Sequence, residues 1–183
     1  MQKLLHFFTR NPLSKWLLHC YIRLLFFTYR LRVDDQTGSA LPLNKSRGVY
    51  CGWHEEMIAF LFFLQQQGAR GHLIHDRSFE GTMGSFISRR FGLIPLISNG
   101  KTSFMRRALE ALEMNGRLYT IGDGTHGPAK QLQPDVQFLA TRSDVPLMMV
   151  GCRATSAVSL WKRWDSFKIP LPFSTITVTI TRP

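Results

Sequence analysis

Three short segments carry the side chains whose types and spacing suit proton transfer. The first is Trp53-His54-Glu55-Glu56, which puts an imidazole where a strand-like run, Val49 to Cys51, gives way to an apolar helical run. At a helix start the helix dipole disfavours the protonated imidazole and keeps it available as a base. The second is Asp76 to Gly81, with Arg77 and Glu80. The third is Leu118 to Pro128, where a strand runs into Gly122-Asp123-Gly124-Thr125-His126-Gly127-Pro128, a turn too rich in glycine to continue strand or helix. Each segment has a plain structural alternative: a helix cap for His54, a tight turn for Gly-Asp-Gly, and solvated surface charges for Arg77 and Lys130.

The elements that must hold these segments alternate. Strand-like runs at Val49 to Cys51, His72 to His75, Leu93 to Ile97 and Leu118 to Ile121 are separated by helical runs from His54 to about Gln67, Glu80 to Phe91 and Thr102 to Asn115. Alternation of this kind predicts an α/β domain, a mostly parallel central sheet covered by helices. In such a sheet all three segments follow strands and fall on one edge, where ligands of open α/β sheets bind. A further helix from Pro134 to about Thr141, buried strands at Val145 to Val150 and Ala157 to Trp161, and a threonine-rich run from Ser174 to Thr181 suited to a sheet edge complete the domain. The segment from Trp161 to Trp164 reads as a membrane-surface tip.

The 183 residues suffice for one domain, and 44% hydrophobic against 19% charged residues excludes a disordered chain. The net charge of +11 is concentrated at the ends: residues 1–50 carry eight Lys/Arg and two Asp, hence +6, and the last 33 carry five against one, hence +4. Residues 51–100 balance at zero. Around Lys3, Arg10, Lys15, Arg23 and Arg30 the chain is rich in leucine and aromatics, which is chemistry for an anionic membrane surface more than for nucleic acid. Arg23 interrupts the apolar run, so no uncharged span of about 18 residues exists, and no small-residue cleavage site follows, so a signal peptide is not read; the sequence leaves open whether this helix lies on the membrane or anchors the chain across it. We therefore divide the chain into a basic, apolar, membrane-associating helix over 1–33, a turn-rich linker over 34–47, and the α/β domain over 48–183. Cys20, Cys51 and Cys152 have neither disulfide nor metal-ligand spacing, which suits a reducing compartment.

Taken together the motifs resemble those of the lysophospholipid acyltransferase-like superfamily, in particular a short bacterial branch known as a domain of unknown function. That branch has, in order, a Trp-His helix start, an acidic-Gly pair opening the next helix, an Asp-Gly-Pro-x-Gly-Pro loop and a late Ser-Trp-Asp-x-Phe-x-Ile-Pro-Leu-Pro-Phe segment. Here they look like Trp53-His54, Glu80-Gly81, Asp123 to Pro128, and Lys162 to Phe173 with Trp164-Asp165-Ser166-Phe167 at its centre. The resemblance covers about residue 48 to the C-terminus.

It implies acyl transfer from an acyl thioester, carried by coenzyme A or acyl carrier protein as substrate, to a lysophospholipid or similar lipid acceptor. No bound cofactor or metal is implied, and no nucleic-acid partner. His54 is then the general base. The superfamily's usual helper, an aspartate five residues on, is replaced by Ala59, so the resemblance leaves Glu80 or Asp123 to orient the imidazole. Arg77, Lys101, Gly124, Thr125, His126, Gly127 and Lys130 are the expected substrate contacts, although Thr125 and His126 stand where the branch commonly has proline and arginine. Met57, Phe60, Leu61 and Leu64 are expected along an acyl-chain groove. The implied location is the cytoplasmic face of the inner membrane. A second reading, motivated by Ala59 and the altered loop, is a catalytically silent lipid-binding protein of the same fold. The oligomeric state does not follow from the sequence.

Overall fold

A computed structural model of the chain describes residues 11–38, 41–75, 79–97, 101–124, 126–160 and 164–183, with the backbone alone for 79–83 and 101–103. The elements are α1 (Pro12–Thr28), β1 (Arg30–Asp35), β2 (Gly48–Gly52), a 3-10 turn (His54–Glu56), α2 (Met57–Gln66), β3 (His72–His75), α3 (Phe79–Arg90), β4 (Ile94–Ile97), α4 (Lys101–Asn115), β5 (Arg117–Ile121), α5 (Pro134–Arg142), β6 (Leu147–Ala154), β7 (Ala157–Leu160), β8 (Phe167–Pro170) and β9 (Thr175–Thr181).

Seven strands form one sheet in the order β1-β9-β6-β2-β5-β3-β4, and β7 with β8 makes a separate antiparallel hairpin. From β6 through β4 every neighbouring pair is parallel, as alternating strands and helices require. Only β9 against β6 is antiparallel, and β1 then runs parallel to β9. The chain thus has the α/β architecture that its periodicity predicts. Helices cover both faces. Ile22, Leu25 and Phe26 of α1, the apolar side chains of α2 and Ile87 of α3 share one core with Tyr50 and Tyr119. Ala108 and Leu112 of α4 and Val136, Leu139 and Ala140 of α5 pack with Val49, Cys51 and Leu118 on the other face. All five residues of β2 are buried, the burial typical of a central parallel strand.

Three expectations change. The N-terminal helix stops at Thr28, and Arg30–Asp35, read as helix end and linker, is a strand of the sheet. Thr175–Thr181, read as an edge strand, lies inside the sheet between β1 and β6, with Ile176, Val178 and Ile180 fully buried. In α2, Phe60 and Leu64 fill the core, while Met57 and Leu61 are only partly covered. Of the predicted tip at Trp161 to Trp164, residues 161–163 lie outside the described residues, and Trp164 packs beside the His54 ring.

α1 begins with Asn11, whose side chain accepts a hydrogen bond from the Leu13 N–H at 2.9 Å, and Pro12 occupies the first turn. Its end is tied to the C-terminal segment. The Tyr29 hydroxyl donates to the Pro170 carbonyl at 2.7 Å, and the Phe173 N–H donates to Thr28 Oγ1 at 3.1 Å. β8, which ends at Pro170, packs on the 3-10 turn and on α2.

Candidate active site

β2 delivers His54. Gly52 closes the strand with Phe60 lying where a Cβ would stand, and the chain turns through Trp53 into the 3-10 turn. The neighbouring strand, β5, delivers the glycine-rich loop one step away in the sheet. Asp123 is 1% exposed and joins the two. Its Oδ1 accepts from the His54 backbone N–H at 2.9 Å and its Oδ2 from the Lys130 backbone N–H at 2.9 Å. One carboxylate thus satisfies two amides that the turns leave without ladder partners, and it fixes where the His54 backbone sits.

The imidazole itself is held by Asp165. His54 Nδ1 hydrogen-bonds Asp165 Oδ2, with the two residues 5% and 1% exposed. Glu80 and Asp123 were the carboxylates expected in this position. Asp123 holds the backbone of His54 while Asp165 holds the ring, and the side chain of Glu80 lies outside the described residues. Ala59, where the superfamily's aspartate would stand, is packed in the hydrophobic core. Asp165 arrives on the segment just before β8, turned by Ser166 at φ 50, and is followed by Phe167.

Aromatic rings fence the imidazole. Trp164 lies 5.3 Å and Phe167 6.0 Å from it, centroid to centroid. Gly127 makes room for Trp164: at φ 74 it takes a conformation that disfavours side chains, and a Cβ there would come within 2.6 Å of the indole. With Nδ1 donating to a carboxylate, the neutral ring carries its lone pair on Nε2, and among the described residues Nε2 has no partner. The arrangement is a histidine base oriented by a buried carboxylate, able to take a proton from a hydroxyl or amine and to stabilise the imidazolium that results.

A second charged group sits beside it. Glu55 is paired by Lys130 at 2.7 Å and by Lys168 at 3.2 Å. Burial raises the Glu55 carboxyl, but the hydrogen bonds and charges of the two lysines outweigh it and leave the group below its ordinary range. The hydrogen bond that Lys130 donates to Glu55 raises the lysine's own pKa. Glu56 accepts from the Cys152 N–H at 2.7 Å, and burial pushes its carboxyl up against that bond. Lys130 therefore reaches the site's rim from a backbone in the left-handed region, φ 57.

Of the other predicted contacts, Gly124 and Gly127 lie in the loop with positive φ, and His126 is exposed. Lys101 starts α4, with its side chain outside the described residues, as are Arg77 and Thr125 altogether. The residue missed from sequence is Asp165. Two signals pointed to it: it is the sole acid among residues 151–183, and it stands within the longest motif. Among the described residues no group of three or more His, Cys, Asp or Glu could hold a metal ion.

The comparisons agree with this geometry at the level of the fold. No protein-family model matches the chain. Along its whole length the structure superposes on the 1-acyl-sn-glycerophosphate (LPA) acyltransferase PlsC of Thermotoga maritima, with a TM-score of 0.60, 15% identity and 76% of that chain covered. The sequence is 24% identical over 172 residues to an uncharacterized protein of Rickettsia prowazekii, covering 91% of this chain and 78% of that one. The chain therefore shares the fold of that acyltransferase.

Proposed function

We propose that the protein is an acyltransferase that moves a fatty acyl group from an acyl thioester to the hydroxyl or amine of a lysophospholipid-like acceptor. The observation that carries this reading is the buried His54–Asp165 pair at the carboxyl edge of a sheet with an acyltransferase fold. Asp165 holds Nδ1–H, so Nε2 faces the acceptor as base. The acceptor oxygen attacks the thioester carbonyl as Nε2 takes its proton. The tetrahedral oxyanion then collapses, the C–S bond breaks, and the departing thiolate receives the proton from the imidazolium. The donor is acyl-coenzyme A or acyl carrier protein, acting as substrate. Lys130 and Lys168, held at the rim by Glu55, are placed to meet an anionic donor or acceptor.

The enzyme works at a bilayer surface. α1 buries one face on the core and leaves Trp16, Leu17, Leu24 and Phe27 exposed on the other, Phe27 at 88%. Six large apolar side chains exposed on one helix are more than isolated surface residues explain. No helix among the described residues is long and apolar enough to cross a membrane, so α1 lies on the bilayer in this reading. The silent lipid-binding alternative drew on Ala59, and Asp165 now gives the imidazole the carboxylate that position lacks.

The test is thiol release from acyl-coenzyme A and acyl-carrier-protein donors, with mixed lysolipids in vesicles, by the wild type and His54→Ala. Release that requires both an acceptor and His54 is the expected outcome. No release from any pair by a folded, vesicle-bound protein would overturn the acyltransferase reading in favour of the silent one.

A further inference from the structure

At the opposite edge of the sheet from His54, a cleft of about 420 Å³ opens between α1, the α2–β3 connection and the C-terminal end of α3. Strands of this length separate it from the imidazole by about 17 Å. Four arginines line it: Arg23 from α1, Arg70 from just before β3, and Arg89 and Arg90 from the last turn of α3, the Arg90 guanidinium lying over the Phe86 ring at 5.2 Å. No carboxylate lines it, and among the described residues none forms an ion pair with any of the four.

The bland account of Arg89 and Arg90 is that they offset the negative end of the α3 dipole. It does not explain why two further elements aim arginines at the same space, because like charges brought together cost free energy unless an anion joins them. The convergence is built into the backbone. Gly92, at φ 81, has no side chain where the Arg70 guanidinium crosses it, so a Cβ there would collide with Nη1. Beside the cleft, His19 is buried with its Nδ1 unpartnered among the described residues, and its ring lies tilted at 5.5 Å from that of Phe91, a lining residue. Burial, then Arg90 and Arg23, lower its pKa, which reports a local excess of positive charge.

Arg23 also sets the depth of the cleft. At 100° per residue it lies between the buried face of α1 and the exposed apolar face, next to Trp16 and Phe27. A side chain there extends from the acyl region towards the headgroups when the apolar face is immersed. We propose that the four-arginine cleft binds the phosphate of an anionic lipid headgroup, orienting the protein on the bilayer from the side opposite the chemistry. This rests on the bilayer placement of α1 argued above. Bidentate guanidinium contacts to phosphate oxygens supply the recognition.

The experiment is sedimentation of the full chain with phosphatidylcholine vesicles and with vesicles of phosphatidylcholine and phosphatidylglycerol. It compares the wild type, Arg70→Gln/Arg89→Gln, and an exposed control pair of equal charge change, Lys45→Gln/Arg142→Gln. We expect the cleft pair to lower affinity for the anionic vesicles about thirtyfold, at about 1 kcal/mol for each of the two basic groups near an anionic surface, and the control pair to lower it less. Binding to phosphatidylcholine alone should stay unchanged. Equal losses in both pairs would mean that net charge suffices and would overturn the cleft. Wild type that binds neither vesicle would instead overturn the placement of α1.

Two further arms separate other sources of phosphate. Inorganic phosphate that raises the wild-type Tm saturably, with vesicle binding indifferent to the cleft pair, would overturn the lipid assignment in favour of a free anion. Duplex DNA bound through the cleft, with vesicle binding intact in the cleft pair, would overturn it in favour of nucleic acid.

Discussion

His54 and Asp165 are 111 residues apart in the chain, yet their side chains meet in the interior, Nδ1 to Oδ2. The fold brings together an imidazole from the end of β2 and a carboxylate from the segment just before β8. Position 59, on the turn of helix nearest the histidine, has become part of the hydrophobic core.

Replacing Asp165 by asparagine should lower kcat by about 10²–10⁴-fold with a small change in KM, because the amide no longer fixes the tautomer that bares Nε2. The double variant with His54→Ala should be little worse than His54→Ala alone, since the pair acts as a unit. Additive losses in acyl-transfer assays would show that Asp165 supports the fold and not the base.

Asp123 should behave differently. Its removal in Asp123→Ala leaves the amides of His54 and Lys130 without their acceptor, at a cost of about 1–3 kcal/mol for each. Denaturant titration should show this loss, and the activity should fall with it. An unchanged midpoint would mean that water replaces the carboxylate.

At Gly127 an alanine meets both an unfavourable backbone and the Trp164 ring. We expect destabilisation of about 1–2 kcal/mol from the left-handed conformation alone, together with a lower kcat as the indole moves off the His54 ring. Because the strain and the displacement are separable, Gly127→Asn, which tolerates positive φ better, should recover stability more than activity.

The pH dependence of stability has a worked sign. Burial lowers His72 below its ordinary value of 6.5, so the fold favours the neutral ring. Its contribution is complete above 6.5 and is lost as pH falls through the lower folded value. Glu55, lowered on balance by its lysines, adds a contribution that is present above its ordinary 4.5 and disappears as pH falls further. Stability should therefore decline in two stages on acidification. His72→Gln should shrink the first stage without abolishing it, because burial lowers His19 as well, and Glu56, raised by burial, opposes the second; denaturation midpoints between pH 7.5 and 3 would test both stages.

Much of the fold could be read because β2 and β5, the central strands, are buried on both faces and appear, like the shorter β3 and β4, as short apolar runs between helices. β1 escaped notice because Arg30–Asp35 alternates polar and half-buried residues, the pattern of an edge, and its charges resemble a linker. β9 misled in the opposite sense. Its alternating threonines suggest a sheet edge, but β1 pairs along that edge; the threonine face is exposed or half-buried while the Ile-Val-Ile face is wholly buried. His54 and Asp123 were legible because each follows a strand at the binding edge. Asp165 was not, because a contact between distant loops leaves no periodicity; only the motif around it marked the place.

The position of β9 has a consequence for how the protein comes into being. Among the described residues β1 pairs with β9 alone, and the segment bearing Asp165 lies just ahead of β9 in the chain. As the chain leaves the ribosome, β1 waits for a partner that is made after the other described strands of the sheet. The imidazole likewise lacks its carboxylate until the segment just ahead of that partner emerges. A chain interrupted before it would hold an unpaired β1 and a His54 ring without Asp165. Thus one late stretch completes both the sheet and the His54–Asp165 contact.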